Sequence, residues 1–296
     1  MTRRDLLWTT FAAAAAAPPS QFVKGICSII FPKEMPREQA FKQAKEAGFD
    51  AIELSIGYDL ELDISPVDAK RLRDAARDAG ITIATLWVSE PFQKYPLNSD
   101  DAAVREKGVD ALRRAIGIAT EIGCEALLLY PVRLGSGPRL QYGYEVTWQR
   151  LTAELKKAIP DAERARVYLN PENVWNKFLL SPLEMRSFVD QFHSPWLQTH
   201  FDAGNVMQYG YPEDWILTLG PRIKRIHFKD YKLSNRAEQG HFADLLEGDV
   251  NWKAVMAALV KIGYRGPVSP EISYDPKDPE KIRKVSAALD KILALA

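Results

Sequence analysis

Four residues close four consecutive apolar runs in the second half of the chain. Glu172 follows Val167-Tyr168-Leu169-Asn170-Pro171, Asp202 follows Gln198-Thr199-His200-Phe201, His227 lies within Ile226-His227-Phe228-Lys229-Asp230, and Glu271 follows Val268-Ser269-Pro270. Two Glu, one Asp and one neutral imidazole make an oxygen-rich donor set with a single nitrogen. Such a set suits Mn²⁺ first, with Mg²⁺ or Co²⁺ close behind; Zn²⁺ is compatible, although the thiolates of a structural zinc site are missing. One divalent ion would relieve the repulsion among three carboxylates held together. Each residue has a plainer reading taken alone: Glu172 as a loop cap, Asp202 as the Asx residue of an Asp202-Ala203-Gly204-Asn205 turn, His227 as a satisfied core histidine, Glu271 as half of an ion pair. Four metal-capable groups in register at consecutive strand ends exceed what capping requires.

Positioning them takes a particular scaffold. From Phe22 onward, short apolar runs alternate with longer amphipathic ones eight times, with no linker rich in Gly, Ser or charge. The runs at 23–30, 51–54, 81–88, 126–130, 166–170, 197–202, 223–229 and 267–272 read as strands buried on both faces. Helical patterns lie at 37–47, 66–79, 102–122, 144–163, 182–191, 212–219, 252–262 and 279–293, several of them stopping at Gly48, Gly80, Gly123 or Gly263. This alternation specifies a parallel α/β fold, and eight units specify a single closed (β/α)8 TIM barrel over 21–296. A doubly wound sheet would carry a glycine-rich phosphate loop after its first strand, and Gly25-Ile26-Cys27-Ser28-Ile29 has none. In a barrel the C-terminal strand ends face one mouth, and neighbouring strands lie about 5 Å apart, so the four residues can converge.

Secondary candidates surround them. Asn205 lies just past Asp202, and Lys229 and Asp230 follow His227, where Lys229 could contact a substrate oxygen or form a salt bridge. Glu53 closes strand two and Glu90 follows strand three, both expected to face the mouth, where Glu53 is expected to contact substrate. Trp87 and Trp175 are placed to stack on a sugar face or simply to pack. His241 and Asp244 precede a Glu247-Gly248-Asp249 turn and are expected in a lid, whereas His193 is expected in solvent. Arg133 and the loop at 232–236 are the available sources of positive charge for a phosphate.

Composition narrows the partners. The 296 residues are 46% hydrophobic, with 39 Lys and Arg against 39 Asp and Glu. That excludes a disordered or fibrous chain and gives no global pull toward nucleic acid. A small-molecule partner is compatible with the site, and so is a homo-oligomer. At the N-terminus, Thr2-Arg3-Arg4-Asp5-Leu6-Leu7 precedes an alanine-rich apolar run over 8–17 and then Pro18-Pro19-Ser20. The pattern reads as an export signal over 1–20, its paired arginines resemble the twin-arginine type, and the run is too short to span a membrane, which takes about 20 residues. A periplasmic mature protein is expected, with the cytoplasm as the alternative. Cys27 and Cys124 are expected as buried thiols.

The chain resembles the xylose isomerase-like barrel superfamily, in its sugar phosphate isomerase/epimerase branch. The resemblance is carried by Pro171-Glu172-Asn173-Val174-Trp175-Asn176, Phe201-Asp202-Ala203-Gly204-Asn205, His227-Phe228-Lys229-Asp230, Leu246-Glu247-Gly248-Asp249-Val250-Asn251-Trp252 and Pro270-Glu271-Ile272. Their order and spacing are similar to those of pentulose-phosphate 3-epimerases across essentially the whole barrel. The resemblance implies that Glu172, Asp202, His227 and Glu271 bind one divalent metal and that Glu172 and Glu271 act as the acid/base pair. It does not select the substrate, because the same motifs serve isomerases, epimerases, dehydratases and lyases.

The chemistry can be argued separately. A carboxylate removes a proton beside a ketone at a useful rate only when the enolate oxygen is stabilised, and a chelated metal can supply that. A second carboxylate returning the proton from the opposite face inverts the carbon; return to the neighbouring carbon isomerises, and loss of a β-hydroxyl dehydrates. A ketose, ketose phosphate or keto-sugar isomerase or epimerase is therefore the leading reading, with a keto-sugar lyase or dehydratase and a non-catalytic carbohydrate-binding barrel as alternatives.

Overall fold

The computed structural model describes residues 21–130, 132–136, 139–234 and 240–296; the expected export segment at 1–20 lies outside them. Eight parallel strands run in the expected order: β1 (Phe22–Cys27), β2 (Ala51–Ser55), β3 (Thr82–Trp87), β4 (Ala126–Leu129), β5 (Tyr168–Pro171), β6 (Thr199–Asp202), β7 (Ile223–Phe228) and β8 (Gly266–Pro270). They hydrogen-bond in the spatial order β5-β4-β3-β2-β1-β8-β7-β6. Bridges pairing Leu169 with Leu197 and Glu172 with His200 join β5 to β6 and close the ring. The fold is the (β/α)8 barrel read from the alternation.

The helices form where propensity, caps and apolar stripes agree. Helix α1 is Arg37–Glu46 and α2 is Pro66–Asp78, the latter with Ser65 accepting from the Asp68 amide and proline in the first turn. After the short α3 (Ser89–Lys94), α4 (Ala102–Ile122) starts on the Asp101 side chain and stops at Gly123, whose φ of 75° is the left-handed conformation a helix C-cap needs. Helices α5 (Tyr144–Ala165), α6 (Pro182–Asp190), α7 (Pro212–Leu219), α8 (Trp252–Lys261) and α9 (Lys281–Leu293) complete the outer layer. Their inward residues, among them Leu112, Leu155, Phe188, Ile216, Met256 and Leu289, join Ile26, Leu54, Leu86, Leu127, Phe201 and Val268 of the strands in one buried apolar cluster. Cys27 and Cys124 are free, buried thiols, as expected. Among the described residues, no helix is long and apolar enough to cross a membrane.

Differences from the expected elements are local. The run 23–30 is interrupted after Cys27 by a single 3-10 turn, Ser28–Ile30. Helix α3 escaped periodicity because six residues containing Pro91 are too short to show it. Two small hairpins, Gly135–Ser136 with Arg139–Leu140 and Asp230–Lys232 with His241–Ala243, decorate the loops after β4 and β7. The second of these shapes the mouth of the barrel.

Candidate metal centre and active site

His227 is the hub of the barrel mouth. Its Nδ1 lies 3.1 Å from Glu271 Oε2, 3.2 Å from Glu172 Oε1 and 3.9 Å from Asp202 Oδ2. Parallel pairing places Asp202 beside His227 in register, and the Glu271 amide donates to the Phe228 carbonyl at 3.2 Å, so β6, β7 and β8 hand their side chains to one point. One ligand atom from each of Glu172, Asp202, His227 and Glu271 lies within 4.8 Å of all the others. The four residues read as a donor set are brought together.

The plain and the functional readings of Asp202 both hold, on different oxygens. Oδ1 accepts from the Asn205 amide at 2.7 Å, making the Asx turn. Oδ2 is buried, accepts no hydrogen bond and faces the cluster. Three carboxylates converge there on one imidazole nitrogen with a single ammonium among the described residues, Lys229 Nζ 3.4 Å from Oδ2, to offset them, so the residues fit a divalent ion. Asn173 fixes the backbone on both sides of Asp202: its Oδ1 accepts from the Asp202 amide at 2.8 Å and its Nδ2 donates to the Asp202 carbonyl at 2.9 Å.

Lys229 closes the cluster from above. Its Nζ lies 2.9 Å from Glu271 Oε2, 3.4 Å from Asp202 Oδ2 and 3.4 Å from Asn205 Oδ1, and 4.8 Å from the centroid of the Phe242 ring. The expected salt bridge therefore exists, and it runs to metal-capable carboxylates. These neighbours separate the two glutamates. Burial raises Glu172 to about 7, with Glu271 and Asp202 adding to the rise against His227. Burial also acts upward on Glu271, but the Lys229 ammonium and then His227 overrule it and hold the carboxyl at about 2. Burial likewise lifts Asp202. Two carboxyls whose surroundings push them in opposite directions flank one imidazole nitrogen, which is the arrangement that divides acid and base roles.

Glu53 is not where the sequence suggested. It is 1% exposed and lies behind His227, where Oε2 is 3.1 Å from His227 Nε2 and accepts from Trp87 Nε1 at 2.8 Å. The register of β2 turns its side chain into the barrel below the mouth, so the expected substrate contact is replaced by a contact to the imidazole. Cys27 Sγ adds a third neighbour to Nε2 at 3.5 Å. His241 also departs from expectation: it is exposed on the hairpin, while its neighbour Phe242 faces the site.

A cavity of about 490 Å³ opens over the cluster. Glu172, Glu271, Asn205 and Lys229 form its floor, Trp87, Trp175 and Phe242 supply aromatic walls, and Glu90 and Arg133 stand on its rim. Trp175 donates from Nε1 to the Asn205 carbonyl at 2.8 Å and stacks on Phe242, with centroids 4.9 Å apart and planes 25° from parallel. Asp244 pairs with Lys281 and His193 is exposed, so neither reaches the site.

Asp230 has a role that spacing alone could not reveal. Buried to 1%, it accepts from the amides of Tyr231, Leu246 and Val250 and from Trp252 Nε1, tying the Leu246-Glu247-Gly248-Asp249 turn to β7. A Cβ on Gly248 would meet Asp230 Oδ1 at 2.0 Å. Gly248→Ala is therefore expected to cost about 2–4 kcal/mol in urea unfolding, whereas Gly117→Ala, with nothing within 4 Å, should leave the midpoint no lower.

The comparisons bear on the family and the fold. Residues 41–292 match the family model described as xylose isomerase-like TIM barrel. The chain belongs to that family. SgbU of Escherichia coli strain K12, whose assignment as an L-ribulose-5-phosphate 3-epimerase is itself provisional, is 28% identical over 249 residues, covering 82% of this chain and 85% of SgbU. The L-ribulose-5-phosphate 3-epimerase UlaE of Salmonella heidelberg strain SL476 is 27% identical over 257 residues, covering 80% and 84%. Among solved structures, D-psicose 3-epimerase superposes with a TM-score of 0.77 at 18% identity, over 91% of this chain and 98% of its own. The 3-keto-D-glucoside 4-epimerase YcjR of E. coli gives 0.73 at 14% identity, over 92% and 99%. Within the xylose isomerase-like family, these likenesses extend across the barrel.

Cation affinity should depend on pH with a definite sign. Glu172 sits at about 7 without a cation, so below that pH a proton competes for the ligand oxygen and above it the oxygen is free. Mn²⁺ titrations by calorimetry are expected to show affinity falling as the pH drops below 7, with proton uptake by the buffer on binding, and still rising above 7 while His227, pushed down by burial but held well above the usual imidazole range by its acidic neighbours, gives up its proton. A flat profile between pH 5.5 and 8 would contradict the assignment of Glu172 as a ligand.

Proposed function

We propose that this protein is a divalent-metal-dependent sugar epimerase or isomerase acting on a ketose, ketose phosphate or keto-sugar. The observation that carries the reading is the pair Glu172 and Glu271, both within 3.2 Å of His227 Nδ1, with Lys229 Nζ 2.9 Å from Glu271 alone of the two. The relatives that act on ketose phosphates and ketoses support the substrate class. A bound divalent cation, Mn²⁺ by its fit to three carboxylates and one imidazole, would supply Lewis acidity at the carbonyl oxygen.

The remaining work belongs to the side chains. Glu271, ionised, takes the proton from the carbon beside the carbonyl. Glu172 returns one. They come from β8 and β5, three strands apart around the ring, so a sugar held between them is addressed from different sides, and return from the far side inverts the carbon. Lys229 lies beside Glu271 and Asp202, where its ammonium can hold a substrate oxygen and balance developing negative charge. Trp87, Trp175 and Phe242 exclude water and offer flat apolar faces to the sugar ring. Asn205, fixed through the Asp202 turn, lines the floor as a hydrogen-bonding group, and Arg133 on the rim is the cation available to a phosphate.

Proton NMR in D₂O tests the reading. The protein loaded with Mg²⁺ should exchange the proton beside the carbonyl in at least one of a panel of ketoses, their 5-phosphates and 3-keto-glucosides, and the metal-free protein should not. Label at a carbon of inverted configuration identifies an epimerase, label on the neighbouring carbon an isomerase, and loss of a β-hydroxyl a lyase. No exchange across the panel with metal bound would favour the binding-barrel alternative. The segment at 1–20 is proposed to export the folded enzyme to the periplasm; a reporter fused behind it that stays cytoplasmic refutes this.

A further inference from the structure

Beside the catalytic cavity lies a second one of about 440 Å³, between the ends of β4 and β5, the α3–α4 connection and the first half of α5. Its floor is apolar: Phe92, Leu97, Leu129, Val132, Leu151 and Leu155 are all at least nine-tenths buried yet face open space. Its rim is polar. Gln93, Tyr130 and Arg133 belong to both cavities, so the two open onto each other across these three side chains. The catalytic cavity alone falls within the usual range for a small-ligand site, and its floor of carboxylates and Lys229 accounts for one sugar. The second volume has no part in that chemistry.

We propose that the annex is a subsite for an apolar substituent on the substrate, so that the preferred substrate is a keto-sugar glycoside with an aryl or comparably apolar aglycone. The inference rests on the proposed sugar chemistry for the position of the sugar ring. A phosphate is a poorer occupant. Arg133 is an exposed rim residue, and moving a dianion onto a floor of buried leucines would strip its water with a single solvated cation in exchange. An aryl group there would instead cover apolar side chains that already face open space, and Tyr130, whose hydroxyl takes a hydrogen bond from Arg133 at 3.4 Å, presents its ring at the crossing point.

Two independent measurements test it. Calorimetry with the Mn²⁺-loaded protein should show phenyl β-D-glucopyranoside binding about tenfold or more tighter than the methyl glycoside, and Leu155→Trp or Val132→Phe, each filling the annex, should erase the difference while leaving the weak methyl glycoside affinity unchanged. Turnover of methyl and phenyl 3-keto-β-D-glucopyranoside should show the same preference in kcat/KM, expressed mainly through KM. Equal affinities for the two glycosides in the wild-type protein overturn the subsite, and so does a preference that survives in both filled variants with native thermal melts. A phenyl preference in binding without turnover of either keto-glycoside would keep the subsite and remove the sugar chemistry proposed above. A preference of the wild type for ketose 5-phosphates that is lost in Arg133→Ala but unaffected by filling the annex would assign the rim to phosphate and overturn the aglycone.

Discussion

At saturating Mn²⁺, Glu172→Gln is expected to keep exchanging the proton beside the substrate carbonyl with D₂O while losing inversion, and Glu271→Gln to lose both. The asymmetry follows from the two environments. Glu271 has the Lys229 ammonium at 2.9 Å and His227 at 3.1 Å to hold it ionised and ready to accept a proton, whereas Glu172 has no ammonium beside it among the described residues and burial acts upward on its carboxyl, which makes it the better donor. With Glu172 blunted, Glu271 can still take the proton, exchange it and return it from its own side, so label enters with retained configuration. With Glu271 blunted, the forward reaction has no base. Turnover in each case should fall about 10²–10⁴-fold, the usual size of a lost general acid or base. An amide oxygen can still ligate, so saturating metal separates weaker binding from lost chemistry. Inversion at more than a few per cent of the wild-type rate in either loaded variant would break the two-carboxylate mechanism, and reversed roles, with exchange surviving only in Glu271→Gln, would exchange the acid and base assignments.

The barrel and its four central residues were legible because both are periodic facts. Eight buried parallel strands leave eight apolar runs, and a polar residue at the end of such a run has only the mouth to face. What could not be read depends on which way a side chain turns within the mouth. Glu53 and Glu271 look alike in sequence, each a glutamate at the end of an apolar run. Glu53 sits within β2, paired with Cys27, and meets His227 Nε2, whereas Glu271 lies just past the last pair of β8, Pro270 with Phe228, and meets Nδ1. Asp230 and Lys229 are adjacent, yet Lys229 enters the carboxylate cluster while Asp230 turns outward to gather three amides and an indole. The phrase Leu246-Glu247-Gly248-Asp249 signalled a tight turn, but its partner is set by the folded loop. Phe242 gave no signal at all, since a two-strand hairpin of three-residue strands has no period long enough to detect.

The position of Glu53 leads to the second large effect. A histidine that binds a metal through Nδ1 works best when Nε2 carries the proton and a carboxylate accepts it, because this fixes the tautomer and the plane of the ring. Here Nδ1 faces Glu172, Asp202 and Glu271, and Nε2 faces Glu53 Oε2 at 3.1 Å. Burial acts upward on the Glu53 carboxyl, but the charge and hydrogen bond of His227 hold it well below the usual carboxylate range. Trp87, donating to the same oxygen at 2.8 Å, keeps the carboxylate from rotating away. Glu53→Leu should therefore weaken Mn²⁺ binding about 10–100-fold in calorimetry, although Glu53 touches neither the ion nor the substrate cavity. Glu53→Gln, whose amide oxygen can still accept from Nε2, should recover most of that loss. The rescue distinguishes orientation of His227 from simple packing, since glutamine and leucine are close to glutamate in volume but only one can hold the imidazole proton. Should both variants bind Mn²⁺ as the wild type does, His227 would need no fixed tautomer to serve as a ligand, and the assignment of Nδ1 as the cation-facing nitrogen would lose its support.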